Sequence, residues 1–304
     1  MLRDFSIIPE VPLIPNLENN MFYLIDKPLG ISSFDVIRAM RKTLGIKKMW
    51  HAGTLDPLAT GALLIATENS TKLLPLLDTA KKEYLFTVNI DGVSDSFDLW
   101  TPIRHHDTYW FRNHNREELR DFLLSQTQQE TPKYSALHID GKRAYELARM
   151  GAIFDTPKRP IQVHEVDVIE MDDTAISIRM VLSSGWYIRS FAPLIGKFFG
   201  MPGGYISSLR RTKIFHTYGM LDVSSASPHD IPMPRDYSQI FPDIPYREIQ
   251  KSSYEEIMLG KSIPINQVDE SLDCEYVFLW YPDACFISLV RKNFDIYTIV
   301  RNNV

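Results

Sequence analysis

Apolar positions recur along this chain with two different periods, and the change of period marks out helices and strands. Val36, Ile37, Met40 and Leu44 fall at helical spacing, with Ser32 or Ser33 placed to cap the start and Gly45 to stop the run. Asn115 with Glu118 three residues on resembles a capping box, and Leu119, Phe122 and Leu123 supply the apolar face of the helix it opens. Ile188, Phe191, Ile195, Phe198 and Phe199 predict a third helix ending near Gly200. Where the period drops to two, strands are predicted: Tyr84, Phe86, Val88 and Ile90 alternate with Leu85, Thr87 and Asn89, and Ile176, Ile178, Met180 and Leu182 form a similar set. The regular strand–helix–strand spacing of a doubly wound sheet is missing, so the pattern predicts an α+β fold.

Ser224–Tyr246 breaks both periods. Pro228, Pro232, Pro234, Pro242 and Pro245 remove amide donors and fix φ, which predicts an extended linker. Beyond it, Tyr276–Tyr281, Ala284–Val290 and Phe294–Val300 are expected as short strands, with turns at Pro282-Asp283 and Arg291–Asn293. That pattern predicts a small β meander or barrel. The expected organisation is an N-terminal extension over 1–20, a large α+β domain over 21–225, and a linker with a small β domain over 226–304.

Composition narrows the class. At 304 residues, 44% hydrophobic and 23% charged, the chain suits a soluble globular protein with room for two cores. Cys274 and Cys285 provide neither a disulfide framework nor a paired metal motif, which fits a reducing cytoplasm. Met1–Asn20 carries Asp4, Glu10 and Glu18 and is broken by Pro9, Pro12 and Pro15, unlike a secretory signal. No apolar run approaches the roughly 18 residues of a membrane span. The net charge of −5 argues against a nucleic-acid partner until its distribution is considered. Of 33 basic and 38 acidic residues, 7 and 13 lie from Leu221 onward, so the first 220 residues are nearly balanced. Arg38, Arg41, Lys42, Lys47 and Lys48 follow one another with no acid between Asp35 and Asp56. Such a run is either a solvated helix face or a set of phosphate contacts.

The segment His51-Ala-Gly-Thr-Leu-Asp-Pro-Leu-Ala-Thr-Gly61 is the most unusual in the chain. Pro57 pushes Asp56 toward an extended conformation, and Gly53 and Gly61 bracket it. A carboxylate on such a loop can act as nucleophile or general base; an Asp-Pro step is also a common opener of turns. A metal site with His51 lacks a third ligand at suitable spacing, and Asp91, Asp95 and Asp98 do not match a calcium loop.

This segment resembles the signature loop of the TruB family of tRNA pseudouridine synthases, in which the aspartate is catalytic. Five further motifs resemble the family's in order, over about residues 21–215. They are Lys27-Pro-Leu-Gly30-Ile-Ser-Ser33; Lys82-Glu-Tyr84; Tyr134-Ser-Ala-Leu-His-Ile-Asp-Gly141 with Tyr145-Glu-Leu-Ala-Arg149; Gly185-Trp-Tyr187-Ile-Arg189-Ser190; and Leu209-Arg-Arg211. The resemblance implies a pseudouridine synthase fold: a mixed, largely antiparallel sheet, an insertion that clasps RNA, and a small C-terminal β domain of PUA type. It implies isomerisation of uridine at position 55 in the T-arm loop of tRNA, without metal or organic cofactor. Asp56, Arg189 and Tyr84 are the implied catalytic set, with Arg189 as cationic partner of the carboxylate and Tyr84 packed against the base. On the strand pattern alone, Tyr84 belongs to the core. His51 is implied to hold the opened RNA loop. Lys27, Tyr187, Leu209, Arg211, Lys142 and Arg149 are implied to bind substrate, Leu209 by padding the pocket. Lys133, Arg143, Lys158, Arg159, Arg210 and Lys213 join the candidates for phosphate contact.

The chain also departs from the family pattern. Pro193 and Leu194 replace a polar pair after Arg189-Ser190, Lys133 stands where an apolar residue is usual, and no glycine follows Asp98. The expected protein is a cytoplasmic monomer with tRNA as partner, no obligate protein partner and no membrane. A guide-RNA-dependent synthase of the dyskerin type and a non-catalytic tRNA chaperone are the alternatives. Leu58-Ala-Thr-Gly61 follows the bacterial pattern rather than the guide-dependent one.

Overall fold

The computed structural model describes residues 20–77, 80–107, 115–135, 137–139, 141–216, 219–223, 240–241, 243–268, 272, 274–281 and 286–302. Residues 1–19 of the expected extension over 1–20 and most of the proline-rich stretch lie outside these residues. No described helix is long and apolar enough to cross a membrane.

The helices lie where apolar spacing and caps put them. Ser33–Leu44 is capped by Ser32, whose hydroxyl accepts from the Asp35 amide while the Asp35 carboxylate accepts from the Ser32 amide; Gly45 closes the helix at φ +68°. Arg116–Leu124 opens on the reciprocal Asn115–Glu118 box. The third run starts as a 3-10 turn over Ile188–Ser190 and continues as the helix Phe191–Phe198, with Pro193 in its first turn, where a missing amide breaks no bond.

An eight-stranded sheet organises the larger part. Its main path runs Phe22–Lys27, Ala59–Thr67, Tyr205–His216, Lys81–Asn89, Ala175–Leu182 and Val163–Met171; Met49–His51 joins the second strand and Gly219–Asp222 the third. Tyr205–His216 pairs in parallel with Ala59–Thr67 at Leu209–Arg211, and the remaining pairs are antiparallel. The sheet is therefore mixed and largely antiparallel, as expected. One face packs Tyr84, Phe86 and Val88 against Ile178, Met180, Phe191, Ile195 and Leu119. Leu209 continues that face into a neighbouring cluster of Tyr23, Leu63 and Ile65 beneath Val36 and Ile37 of the first helix.

A second sheet takes the order Tyr246–Glu248, Tyr276–Tyr281, Phe286–Asn293, Ile296–Asn302 and Ile263–Pro264. Its last hairpin differs from expectation. Arg291, Lys292 and Asn293 stay in the ladder opposite Thr298, Tyr297 and Ile296, and the reversal falls at Phe294, with φ +52° and 97% exposed. A polar triplet reads as a turn, yet on a strand with a solvated face it is equally at home. Phe241, Ile244, Phe278 and Leu289 enter one cluster with Phe22, Leu24, Leu64 and Ile214. Strand alternation puts Phe22, Leu24 and Leu64 on the face opposite Tyr23, Leu63 and Ile65, so the small sheet and the first helix cover opposite faces.

Candidate active site

The chain between Met49–His51 and Ala59–Thr67 carries Asp56 on a loop held from both sides. Its backbone does open a turn: the Asp56 carbonyl accepts from the Ala59 amide at 3.0 Å. From upstream, the Gly30 amide donates to the Pro57 carbonyl at 2.8 Å, and the Ser33 hydroxyl accepts from the Leu55 amide (2.8 Å) while donating to the Leu55 carbonyl (3.1 Å). Lys27 Nζ donates to the carbonyls of Ile31 (2.7 Å), Pro28 (2.9 Å) and Pro57 (3.4 Å). From the sheet side, Arg211 Nε donates to the Ala62 carbonyl at 2.7 Å and Nη2 to that of Gly53 at 3.1 Å. The loop's backbone is thereby fixed, and its carboxylate projects from a rigid base.

That carboxylate meets Arg189 in a two-pronged pair: Nε to Oδ2 at 2.8 Å and Nη2 to Oδ1 at 3.1 Å. Arg189 is aimed by its own surroundings. Nη1 donates to the carbonyls of Ser96 (3.2 Å) and Tyr134 (3.0 Å). Upstream, the buried Gln129 brackets the turn, donating to the Gly185 carbonyl at 2.8 Å and accepting from the Tyr187 amide at 3.0 Å. The Ser190 hydroxyl donates to the Glu130 carbonyl at 2.7 Å. A second carboxylate approaches the same guanidinium, with Asp98 Oδ2 3.6 Å from Nε. Asp98 Oδ1 accepts from the Ser96 hydroxyl and the Trp100 amide. Arg189 and Asp98 are buried, whereas the Asp56 side chain is 35% exposed and is the member of the network that a substrate can reach.

A pocket of about 10 Å³, lined by Asp56, Asp98, Arg189, Ile206 and Leu209, opens beside this network. That is room for about one water molecule, so a nucleobase enters only if the walls separate. Tyr84 sits in the buried face of its strand at 7% exposure, opposite Arg211 and Met180 in the ladder. Tyr187 is half-buried at the head of the 3-10 turn. His51 stacks on Trp50, with ring centres 5.6 Å apart and planes at 13°. Burial, and then the nearby Arg211, hold the His51 imidazole below its ordinary pKa, favouring the neutral ring.

Several expected RNA contacts are redirected by tertiary partners. Lys27 is fully buried, with its ammonium on three carbonyls; burial draws it down to about 8, against the opposing pull of Asp56. Arg211 is equally buried. Arg210 forms a two-pronged pair with Asp26 at 2.8 and 2.7 Å, and Lys213 lies 3.4 Å from Glu83. These four cations brace the protein, because their donors meet internal acceptors before any phosphate can. Lys142 and Arg149 are exposed, on the hairpin of His138–Ile139 with Lys142–Arg143 and on the short helix Ala144–Arg149 that follows. Lys133 and Lys158 are exposed as well. Sequence reasoning missed Ser33, Gln129 and Asp98 as supports of the site. Ser33 carried a signal as the last residue of a motif whose purpose the loop contacts now explain, and Asp98 as a retained position of the family pattern; Gln129 carried none.

Residues 41–188 match the model of the TruB family of pseudouridylate synthases, N-terminal domain. The chain is 38% identical over 199 residues to tRNA pseudouridine synthase B of Parabacteroides distasonis, covering 62% of this chain and 83% of that protein. It is 36% identical over 197 residues to the enzyme of that name from Syntrophomonas wolfei, covering 63% of this chain and 66% of that protein. Among solved structures, an H/ACA ribonucleoprotein bound to a substrate RNA containing 2′-deoxyuridine superposes with a TM-score of 0.61 at 16% identity, covering 98% of this chain and 92% of that one.

Proposed function

The chain belongs to the TruB family of pseudouridylate synthases, and on that premise we propose that it isomerises uridine 55 in the T-arm loop of tRNA to pseudouridine, acting alone in the cytoplasm. The reaction breaks the N1–C1′ bond, turns the uracil and joins C5 to C1′. C5 loses a proton and N1 gains one, so the overall formula is unchanged. The observation that carries the reading is the two-pronged Asp56–Arg189 pair at the mouth of the pocket. The carboxylate assists departure of the base, either by taking a proton from the ribose or by adding to it. Arg189, anchored through Nη1, fixes the direction of both carboxylate oxygens, and Asp98 balances its charge from the buried side.

Leu209 and Ile206 wall the pocket, and the family resemblance assigns Tyr84, buried in the neighbouring strand, to pack against the base after it is drawn from its stack. Flipping costs a few kcal/mol. Neutral His51, Lys142 and Arg149 supply contacts that offset it. Asp56→Asn should lower pseudouridine formation in a bare tRNA transcript by roughly a thousandfold, with tRNA affinity held within about threefold, as read by chemical mapping of pseudouridine. Normal formation by the Asn variant would remove Asp56 from the chemistry. Wild-type activity that appears only with an added guide RNA would replace the stand-alone reading.

A further inference from the structure

The strand Met49–His51 leads into the Asp56 loop, and its middle residue is a large aromatic outside the core: Trp50 is 56% exposed. A lone exposed apolar side chain needs no explanation. This one, however, extends the His51 ring into a single stacked surface. Beside it lies a groove of about 510 Å³ between that strand and the 3-10 helix Glu68–Leu77, with Arg41 and Lys48 in its lining and no carboxylate there.

More cations gather at its edge. Burial, then Lys48 and Arg301, lower the pKa of Lys72, and Arg301 Nε donates to the Lys72 carbonyl at 3.4 Å. Arg301 comes from the last strand of the small sheet, whereas Lys48 and Lys72 come from the segments before and after the strands around Asp56. Glu68 stands at the rim, its carboxylate accepting from the Lys48 amide at 3.4 Å. A groove whose lining holds cations and no carboxylate presents a positive field to an anion. An anion alone would need no aromatic face, whereas a nucleic-acid strand offers phosphates and stackable bases together. Gly53 lines the far end of the groove, and Trp50 lies six residues from Asp56, which keeps their Cα atoms within about 21 Å.

We propose that Trp50, backed by His51, is a platform for a second base of the RNA substrate, outside the uridine pocket, and that Arg41, Lys48 and Arg301 hold phosphates of the same strand. This rests on the reading of the chain as a tRNA-modifying enzyme. Trp50 is here a positioning residue: it places the RNA and does not touch the reacting atoms.

The test uses the full chain and unmodified tRNA transcript. Trp50→Ala should raise Kd and KM by about 5- to 100-fold, the equivalent of one lost stack, with kcat within about twofold. Trp50→Phe should restore most of the affinity, and it keeps the test decisive if the alanine variant folds poorly. The slope of log Kd against log salt should be unchanged in Trp50→Ala and shallower by roughly 0.7–0.9 in Lys48→Ala. Unchanged Kd in Trp50→Ala, a fall in kcat alone, or no recovery with Phe would overturn the inference while leaving the activity intact. A wild-type chain that binds the transcript without forming pseudouridine would overturn the activity reading instead, with the Trp50 comparison still read from binding. No RNA binding by the wild type would overturn both.

Discussion

At Asp56 two uses of an Asp-Pro step coexist. The carbonyl opens a turn to Ala59 and the side chain meets Arg189, so the turn and the charge pair use different atoms of one residue. Lys27 shows the opposite outcome: a cation expected at the RNA surface is spent inside, holding the carbonyls of the loop. Its burial has a consequence for pH. The folded pKa is about 8 against 10.5 for the free side chain, so between these values the unfolded chain carries a proton that the folded chain lacks. Unfolding free energy then rises with pH across that window, and below it the buried charge is a standing cost. Wild type should gain more stability between pH 8 and pH 10 than Lys27→Met, measured as urea midpoints. Identical pH slopes for the two chains would show that the ammonium is not desolvated as its surroundings imply.

Among the elements, the helices were legible because their signals are local: a capping box and a glycine stop act within one turn. The last hairpin was misread by three residues, because Arg291-Lys292-Asn293 has turn-like polarity while pairing as strand. The central ladder makes a sharper demand at Gly61. Its φ is +101°, and a Cβ there would overlap the carbonyl oxygen of Arg211 and lie 2.9 Å from that residue's amide nitrogen. Gly61→Ala must therefore part the Ala59–Thr67 strand from its parallel neighbour, where Leu209 pairs with Ala59 three residues after Asp56. A loss of at least about 2 kcal/mol is expected, from strained φ and displaced backbone together. Thermal melting checks it, and an unshifted midpoint would mean the two strands separate at no cost.

At the scale of the whole molecule, the sequence predicts a domain boundary near residue 225, yet the described parts on either side share one core. Phe22, Leu64 and Ile214 of the large sheet pack with Phe241, Phe278 and Leu289 from beyond it. Separating them would expose a wide apolar face to water. Calorimetry of the full chain should therefore give one cooperative transition, and two resolved transitions would show that the shared core does not couple the parts. The same seating brings Arg301 of the acidic C-terminal quarter against the Lys72 carbonyl, beside the proposed Trp50 platform.

The sequence by itself determined what depends on near neighbours: the helices and their caps, the alternating strands, the order of the motifs and the loop that displays Asp56. Those features arise from contacts within a few residues, and such contacts are written consecutively in the chain. Only the tertiary structure decided which charges remain available. Arg189 finds Asp56 from 133 residues away, Arg210 finds Asp26 from 184, and Arg211 turns inward to Gly53 across 158. A charge is claimed by whichever opposite charge or acceptor the fold brings within hydrogen-bonding range, and that choice has no local signature. For the same reason the run from Arg38 to Lys48 divided: Arg38 pairs with Asp35 on a solvated helix face, while Arg41 and Lys48 line the groove beside Trp50.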